Sequence, residues 1–222
     1  MSIFGALIPL LVVLGIIWAV VAATRRSPGE PFTLATAVAL YARFVGIVTL
    51  ALALVGIALA VKILISFIDP SYSYYALTCA AAPGPPYPTG CSNSDALATF
   101  QRNQDLILAV VLIVAGSGLA AVHLVVGRMA GRLFGGAPNW IGGGSLVACT
   151  VIFGVLGIGG LISGLYNLLT RLFLGSGPNG SAGPVTFGDL LGLAVAFLPA
   201  WIVSLRLLLR RIGERGQSPA PA

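Results

Sequence analysis

The sequence predicts an all-α integral membrane protein with five transmembrane helices. Of its 222 residues, 58% are hydrophobic and only 8% are charged, whereas a soluble domain carries about 25% charged residues. The apolar runs approach the roughly 20 residues that one bilayer crossing requires. Runs such as Val45–Val61 lack the in-and-out alternation of a barrel strand, so helices are the expected spanning structure.

The first predicted helix covers residues 1–23, and a basic pair, Arg25 and Arg26, follows it directly. A secretory signal peptide has its positive charge before the apolar stretch, not after it. We therefore favour a retained helix with the amino terminus outside. The small residues at 19–23 leave a cleaved signal peptide open as the alternative.

The first predicted hairpin covers residues 32–132 and contains two spans. The first span is expected at about Phe44–Ile68 and ends before Asp69-Pro70, because proline cannot continue a helix. The second is expected at about Leu106–Gly127, with a helical lead-in over 92–102. Between them lies an outer loop, 70–104, which is rich in tyrosine and proline.

The second predicted hairpin covers residues 145–211 and follows a glycine-rich link at 131–144. Its first span begins near Ser145 and extends toward Phe173, which exceeds one bilayer crossing unless the helix tilts. An uncharged Gly/Ser/Pro loop at 175–188 precedes the last span, at about Asp189–Leu209. The remaining residues, 212–222, are expected to form a disordered cytoplasmic tail.

The positions of the basic residues predict the orientation of the chain, because Lys and Arg collect on the cytoplasmic side of a membrane. With the amino terminus outside and the carboxyl terminus inside, most of the 12 Lys and Arg residues lie inside: Arg25, Arg26, Arg43, Arg128, Arg132, Arg206, Arg210, Arg211 and Arg215. The remaining three, Lys62, Arg102 and Arg171, lie at or beyond the outer face. A bacterial inner membrane is the expected location.

The two hairpins resemble each other, which raises the possibility of an internal duplication. The run Asp105-Leu-Ile-Leu-Ala-Val matches Asp189-Leu-Leu-Gly-Leu-Ala-Val with one insertion, and each outgoing helix carries a central glycine, Gly56 or Gly160. Parallel repeats of this kind occur in some transporters. Two unrelated apolar hairpins under the same charge rule would also look alike, so both interpretations stay open.

The first hairpin also resembles an uncharacterised bacterial membrane domain family of unknown function. The residues that carry the resemblance are Leu40-Tyr41 before the first span, and His123 before Arg128 and Arg132 at the end of the second. The family usually has a short loop between the spans, and the long cysteine-containing loop departs from it. The resemblance covers roughly the second to fifth helices. It implies an architecture and brings no activity with it.

Two cysteines in the outer loop, Cys79 and Cys91, are expected to form a disulfide, because an extracytoplasmic compartment is oxidising. The bridge would stabilise the loop by about 2–3 kcal/mol in the chain-entropy description. It serves either as a structural staple or as the clamp of a recognition loop. The third cysteine, Cys149, falls inside a span, where it is expected to act as a small buried apolar residue.

Four polar residues within or beside the spans are the candidate functional side chains, because ionisable groups at membrane depth are often functional. Lys62 either extends its amine to the interface or pairs inside the bundle with Asp69 or Asp105. His123 lies near the arginines, as an interfacial group or a proton relay. Asn167 and Arg171 fall late in the fourth span, as packing contacts or as part of a substrate site.

Small residues recur at four-residue spacing and predict close helix packing, within the chain or between copies of it. The stripes are Gly15/Ala19/Ala23, Gly56/Ala60, Gly116/Ala120, Gly160/Gly164 and Gly192/Ala196/Ala200.

These patterns predict a non-catalytic helix-bundle protein, acting as an accessory or structural subunit whose partners are the lipid bilayer and other proteins or further copies of itself. The alternative is a small transporter or channel in which Lys62, His123 and Asn167 line one cavity. We expect no enzymatic activity and no cofactor or metal, since the sequence offers no nucleophile beside a base and no pair of carboxylates within a span. The net charge of +6 reflects the membrane charge rule better than nucleic-acid binding.

Overall fold

The described part of the chain consists of four long helices. The structure is a computed structural model, and it describes residues 34–68, 94–133, 139–174 and 187–216. The helices are α1 (Leu34–Ser66), α2 (Ser94–Leu133), α3 (Asn139–Leu174) and α4 (Phe187–Gly216). Each is long and apolar enough to cross a membrane, and the described residues contain no strand.

Four of the five predicted spans therefore correspond to helices in the structure. The first predicted span, 1–23, lies outside the described residues, as does nearly all of the loop between α1 and α2. The lead-in predicted over 92–102 is helical from Ser94 onward and continues without a break into α2.

The predicted start of the second hairpin is wrong by six residues, because α3 begins at Asn139 and not near Ser145. Glycines 142–144 had indicated a link, and they are helical. Ile141 is buried at 2% exposure, and backbone groups that approach a bilayer must be hydrogen-bonded within the chain. Together these effects offset the helix penalty of about 1 kcal/mol for each glycine.

The predicted end of the chain is also corrected. Helix α4 continues to Gly216, so residues 212–216 are helical and not part of a disordered tail. Basic side chains in this last section interact favourably with the carboxyl end of a helix, and arginine is a good helix former. The helix also passes through Pro199 without a break.

Two antiparallel hairpins, α1 with α2 and α3 with α4, pack side by side, and α1 and α4 form most of the contact between them. Ser66, Ser94, Leu174 and Phe187 define one end of the bundle, which we call the lysine end because it holds Lys62. Leu34, Leu133, Asn139 and Gly216 define the opposite end, which we call the arginine end.

Glycines bring the helices within each hairpin into backbone contact. A Cβ atom added to Gly56 would lie 2.8 Å from the carbonyl oxygen of Ala109, and one added to Gly160 would lie 3.1 Å from the backbone nitrogen of Ala194. Ala109 and Ala194 occupy the same place in the match between the Asp105 and Asp189 segments. The two hairpins thus cross at matching segments of their helices, within about one helical turn of the same register.

The two hairpins differ in the size of the residues at a second crossing closer to the arginine end. In the first hairpin, Gly116 of α2 lies against the backbone of Ala53, 2.7 Å from an added Cβ. In the second, Trp201 of α4 stands at the corresponding position, and Gly154 of α3 provides the space for its indole ring. The small residue is on the second helix of the first hairpin and on the first helix of the second hairpin.

The contact between the hairpins is tightest where Gly192 of α4 lies against the carbonyl oxygen of Ala58 of α1. On the arginine side of this contact lies the apolar core, which includes Ala51 and Leu54 of α1. Phe197 is fully buried, and its ring centroid lies 5.8 Å from that of Phe153. The predicted small-residue stripes thus serve packing inside the chain at each of these glycines.

Outward-facing side chains on the spans are largely apolar, as a lipid-facing surface requires. Helix α2 is the least buried of the four and α1 is the most buried. The exposed residues on α2 include Ile107, Val111, Val114, Val122 and Val125.

A methyl group added at Gly192 is expected to separate the hairpins. Gly192→Ala should destabilise the bundle by roughly 1–3 kcal/mol, because its Cβ would overlap the Ala58 carbonyl and the backbone would have to shift. The measurement is the unfolding midpoint temperature in detergent micelles.

The matched control is Gly118→Ala on α2, where nothing lies within 4 Å of an added Cβ. This variant should keep the wild-type midpoint or raise it slightly, because alanine favours the helix. Equal midpoints for the two variants would contradict the proposed packing of α1 against α4.

Candidate functional site

The strongest cluster of polar side chains lies at the lysine end, where Lys62 of α1 meets two aspartates. Its Nζ atom lies 3.1 Å from Oδ2 of Asp105 on α2 and 3.2 Å from Oδ1 of Asp189 on α4. We call these three residues the Lys62 cluster. It joins three helices and both hairpins through one ammonium group.

All three side chains of the cluster are removed from solvent to a large degree. The exposed fraction of the side chain is 14% for Lys62, 27% for Asp105 and 6% for Asp189. Lys62 donates a hydrogen bond to Asp105. Because much of the surrounding surface is apolar, these charges would be costly to place there without partners of opposite sign.

The helix contacts described above place each member of the cluster. Lys62 follows Ala58 by one turn of α1, and Asp189 precedes Gly192 by about one turn of α4. Because α1 and α4 are antiparallel, the contact of Gly192 with Ala58 places the Lys62 and Asp189 side chains at the same height along the bundle. Asp105 precedes Ala109 by one turn and is set in the same way by the contact of Ala109 with Gly56.

The start of α4 favours the negative charge that Asp189 carries. Asp189 lies in the first turn of α4, where the unpaired N–H groups and the helix dipole stabilise an anion. Lys62 lies one turn before Ser66, the last residue of α1. Two carboxylates and one ammonium group share the site, so the cluster has an excess of acidic groups.

Arg102 adds a second contact at this end without entering the cluster. Its Cζ atom lies 4.9 Å from the centre of the Phe67 ring, in a cation–π arrangement that joins α2 to the residue after α1. The contact joins the two sides of the first hairpin at a point beyond Lys62.

Of the two interpretations of Lys62, the structure shows the pairing inside the bundle, with Asp105 as one partner. Its alternative partner, Asp69, lies outside the described residues. The second partner in the structure, Asp189, was missed by sequence reasoning. The sequence contained a pattern that indicates this second partner, because the internal match placed Asp105 and Asp189 at equivalent positions of the two hairpins.

His123 lies at the other end of the bundle. Its ring makes an edge-on contact with Tyr41, with centroids 5.8 Å apart, and its Nδ1 atom donates to the carbonyl oxygen of Leu119 at 2.7 Å. Its Cβ faces Gly46 of α1. Since Gly46 precedes Lys62 by 16 residues, the two polar groups stand about 24 Å apart along α1.

Asn167 is partly exposed on α3, and its Nδ2 atom donates to the carbonyl oxygen of Ser163 at 3.1 Å. The backbone of Arg171 lies in the last turns of the same helix. The structure therefore does not bring Lys62, His123 and Asn167 together. Lys62 instead meets two carboxylates, while the other two side chains bond to their own helices.

The cysteines divide between the described and undescribed parts of the chain. Cys79 and Cys91 lie outside the described residues, so their disulfide stays a prediction. Cys149 is free and partly buried beside the apolar core. Across the four described ranges, no group of three or more His, Cys, Asp or Glu side chains is arranged to hold a metal ion.

The four helices and their apolar outer surfaces define a multi-pass helical membrane protein. No family model, no curated protein and no solved structure matches the chain. The resemblance of the first hairpin to an uncharacterised bacterial membrane domain therefore stays a prediction.

Removing the ammonium group should harm the fold more than removing all three charges. Lys62→Met removes the ammonium group that both carboxylates bind and should destabilise the bundle by roughly 1–3 kcal/mol. The triple variant Lys62→Met, Asp105→Asn, Asp189→Asn carries none of the three charges of the cluster and should recover part of that loss. Unfolding midpoints in detergent compare the two.

A triple variant that is less stable than Lys62→Met would contradict this electrostatic role. That result would mean that the aspartates are needed for reasons other than their charge.

Proposed function

We propose that the protein is a non-catalytic helix-bundle subunit of a bacterial inner membrane, with an accessory or structural role. The observation that carries the proposal is the Lys62 cluster itself. The three charged side chains of the cluster bind one another across three helices. An ion pair that joins helices in this way stabilises their packing.

The hydroxyl groups of the spans support the same role. Thr49, Ser66 and Ser145 are buried, and each donates to a carbonyl oxygen of its own helix, at 2.8, 2.6 and 2.7 Å respectively. Thr150 and Ser204 do the same. Side chains that satisfy their hydrogen bonds within their own helix help packing and are poorly arranged to bind a polar substrate.

The helix that offers the most lipid-facing surface to a partner is α2, which is the least buried of the four. The glycines that pack inside the chain are already in contact with its own helices, while α2 exposes most of its apolar side chains. A protein partner within the membrane would therefore meet valine, leucine and isoleucine side chains there.

The distribution of arginines supports an orientation in which the arginine end faces the cytoplasm and the lysine end faces outward. Arg128, Arg206, Arg210 and Arg211 lie near the arginine end, in keeping with the excess of basic residues on the cytoplasmic side.

Fusions of reporter proteins test this orientation. A green fluorescent protein after residue 222 should fluoresce, and an alkaline phosphatase at the same site should be inactive, because it folds only outside. Phosphatase inserted after Gly84 in the loop between α1 and α2 should be active. The reverse pattern would overturn the orientation.

Purification in a mild detergent tests the accessory role. We expect discrete partners to co-purify with the tagged chain in fixed proportion. The matched control is a variant with Val111 and Val114 of α2 both changed to tryptophan, which enlarges the exposed face and should displace the partner without disturbing the helix. A chain that purifies without partners, as a single species, would contradict the accessory role.

A second candidate function is a small ion-coupled transporter. Its specific support is that carboxylates from matched positions of the two hairpins meet on one lysine where the hairpins join, which resembles the placement of ion sites between transporter repeats. Proteoliposomes test it: ion flux that appears with the wild-type chain and is lost in Lys62→Met would favour transport. Absence of flux in both would leave the accessory role.

A further inference from the structure

We propose that the Lys62 cluster is an ion-pair latch that closes the lysine end of the interface between the two hairpins. In the closed arrangement Lys62 binds both aspartates. In the open arrangement it keeps Asp105, its partner within the first hairpin, and releases Asp189, so that α4 moves away from α1. The inference is independent of whether the protein is an accessory subunit or a transporter.

The first support is the unequal position of the two carboxylates. Asp105 belongs to the same hairpin as Lys62, whereas Asp189 belongs to the other hairpin. Lys62 can therefore lose Asp189 and still keep a counter-charge, while Asp189 stays in the first turn of α4, where the helix dipole stabilises an anion. A lysine with a single partner would be left as an uncompensated charge in an apolar setting.

The second support is a natural pivot. The Gly192–Ala58 contact lies about one turn from the ion pair, and the apolar core with Phe197 lies on its other side, toward the arginine end. Only five residues of α4, from Phe187 to Leu191, lie on the lysine side of Gly192. A small rotation about this contact would separate Lys62 from Asp189 while the core stays packed.

The third support is that the second hairpin is tied together at the lysine end. An added Cβ at Gly164 of α3 would lie 3.5 Å from Cβ of Leu190 on α4, so α3 and the start of α4 are in contact there. The first hairpin is closed at the same end by Arg102 and Phe67. Opening would therefore separate two intact hairpins, which is the rigid-body type of conformational change.

Electron paramagnetic resonance distances between spin labels test the latch in the full chain. Cys79, Cys91 and Cys149 are first replaced by serine or alanine. One label pair, at Leu64 and Leu172, spans the hairpins at the lysine end, and both positions are exposed at 65%. A second pair, at Tyr41 and Ile212, exposed at 62% and 58%, spans them at the arginine end.

In Asp189→Asn the latch should open. We expect the distances of the Leu64–Leu172 pair to become longer and broader, while the Tyr41–Ile212 pair keeps its wild-type distribution. The matched control is Asp105→Asn, which leaves the bond between the hairpins in place and should keep both distributions as in the wild type.

Three results would overturn the proposal. The Leu64–Leu172 distances could be the same in Asp189→Asn and in the wild type. Both asparagine variants could widen that pair alike, which would show that Asp105 holds the hairpins together as much as Asp189 does. Finally, the Tyr41–Ile212 pair could change in Asp189→Asn, which would show that the cluster supports the whole fold and is not a latch at one end.

Discussion

A lysine within an apolar helix sets the main physical constraint on this bundle. An ammonium group inside a bilayer is costly, by up to about 3 kcal/mol on insertion scales for a residue at the centre of a spanning helix, and the cost falls when the group is paired and hydrogen-bonded. Lys62 meets that requirement with Asp105 and Asp189. Because those carboxylates belong to different hairpins, satisfying one charge also fixes how the hairpins stand against each other.

The glycine contacts make this arrangement possible, since an ion pair with Nζ–Oδ distances near 3 Å requires helices whose backbones approach closely. Gly56 and Gly192 remove the side chains that would keep α2 and α4 away from α1. In a bilayer there is little hydrophobic gain from bringing helices together, so close van der Waals contact and polar bonds supply much of the association energy. Here both occur within two turns of each other on α1.

Sequence reasoning predicted the class of protein and four helices that the structure contains, because long apolar runs and alternating arginines are strong signals. For Lys62 it left two interpretations open, an amine at the interface or a pairing with Asp69 or Asp105, and the structure shows the pairing with Asp105. It missed Asp189 as a partner, because the match between Asp105 and Asp189 was used only to compare the hairpins and not to predict a shared contact. The early start of α3 was missed for a different reason: glycines indicate a link in water, whereas backbone groups that enter the hydrocarbon of a bilayer must be hydrogen-bonded within the chain, which favours the helix. The alternative of a cavity lined by Lys62, His123 and Asn167 does not fit the structure, because Lys62 and His123 lie near opposite ends of the bundle.

The most direct test of the claim that Lys62 joins the two hairpins is a double-mutant cycle between Lys62 and Asp189. The unfolding free energies of Lys62→Met, Asp189→Asn and the double variant are compared with that of the wild type in the same detergent. A coupling free energy of about 1 kcal/mol is expected, within the range measured for polar pairs in membrane proteins. A coupling of zero would show that the two side chains do not stabilise each other and would contradict the proposed basis of the fold.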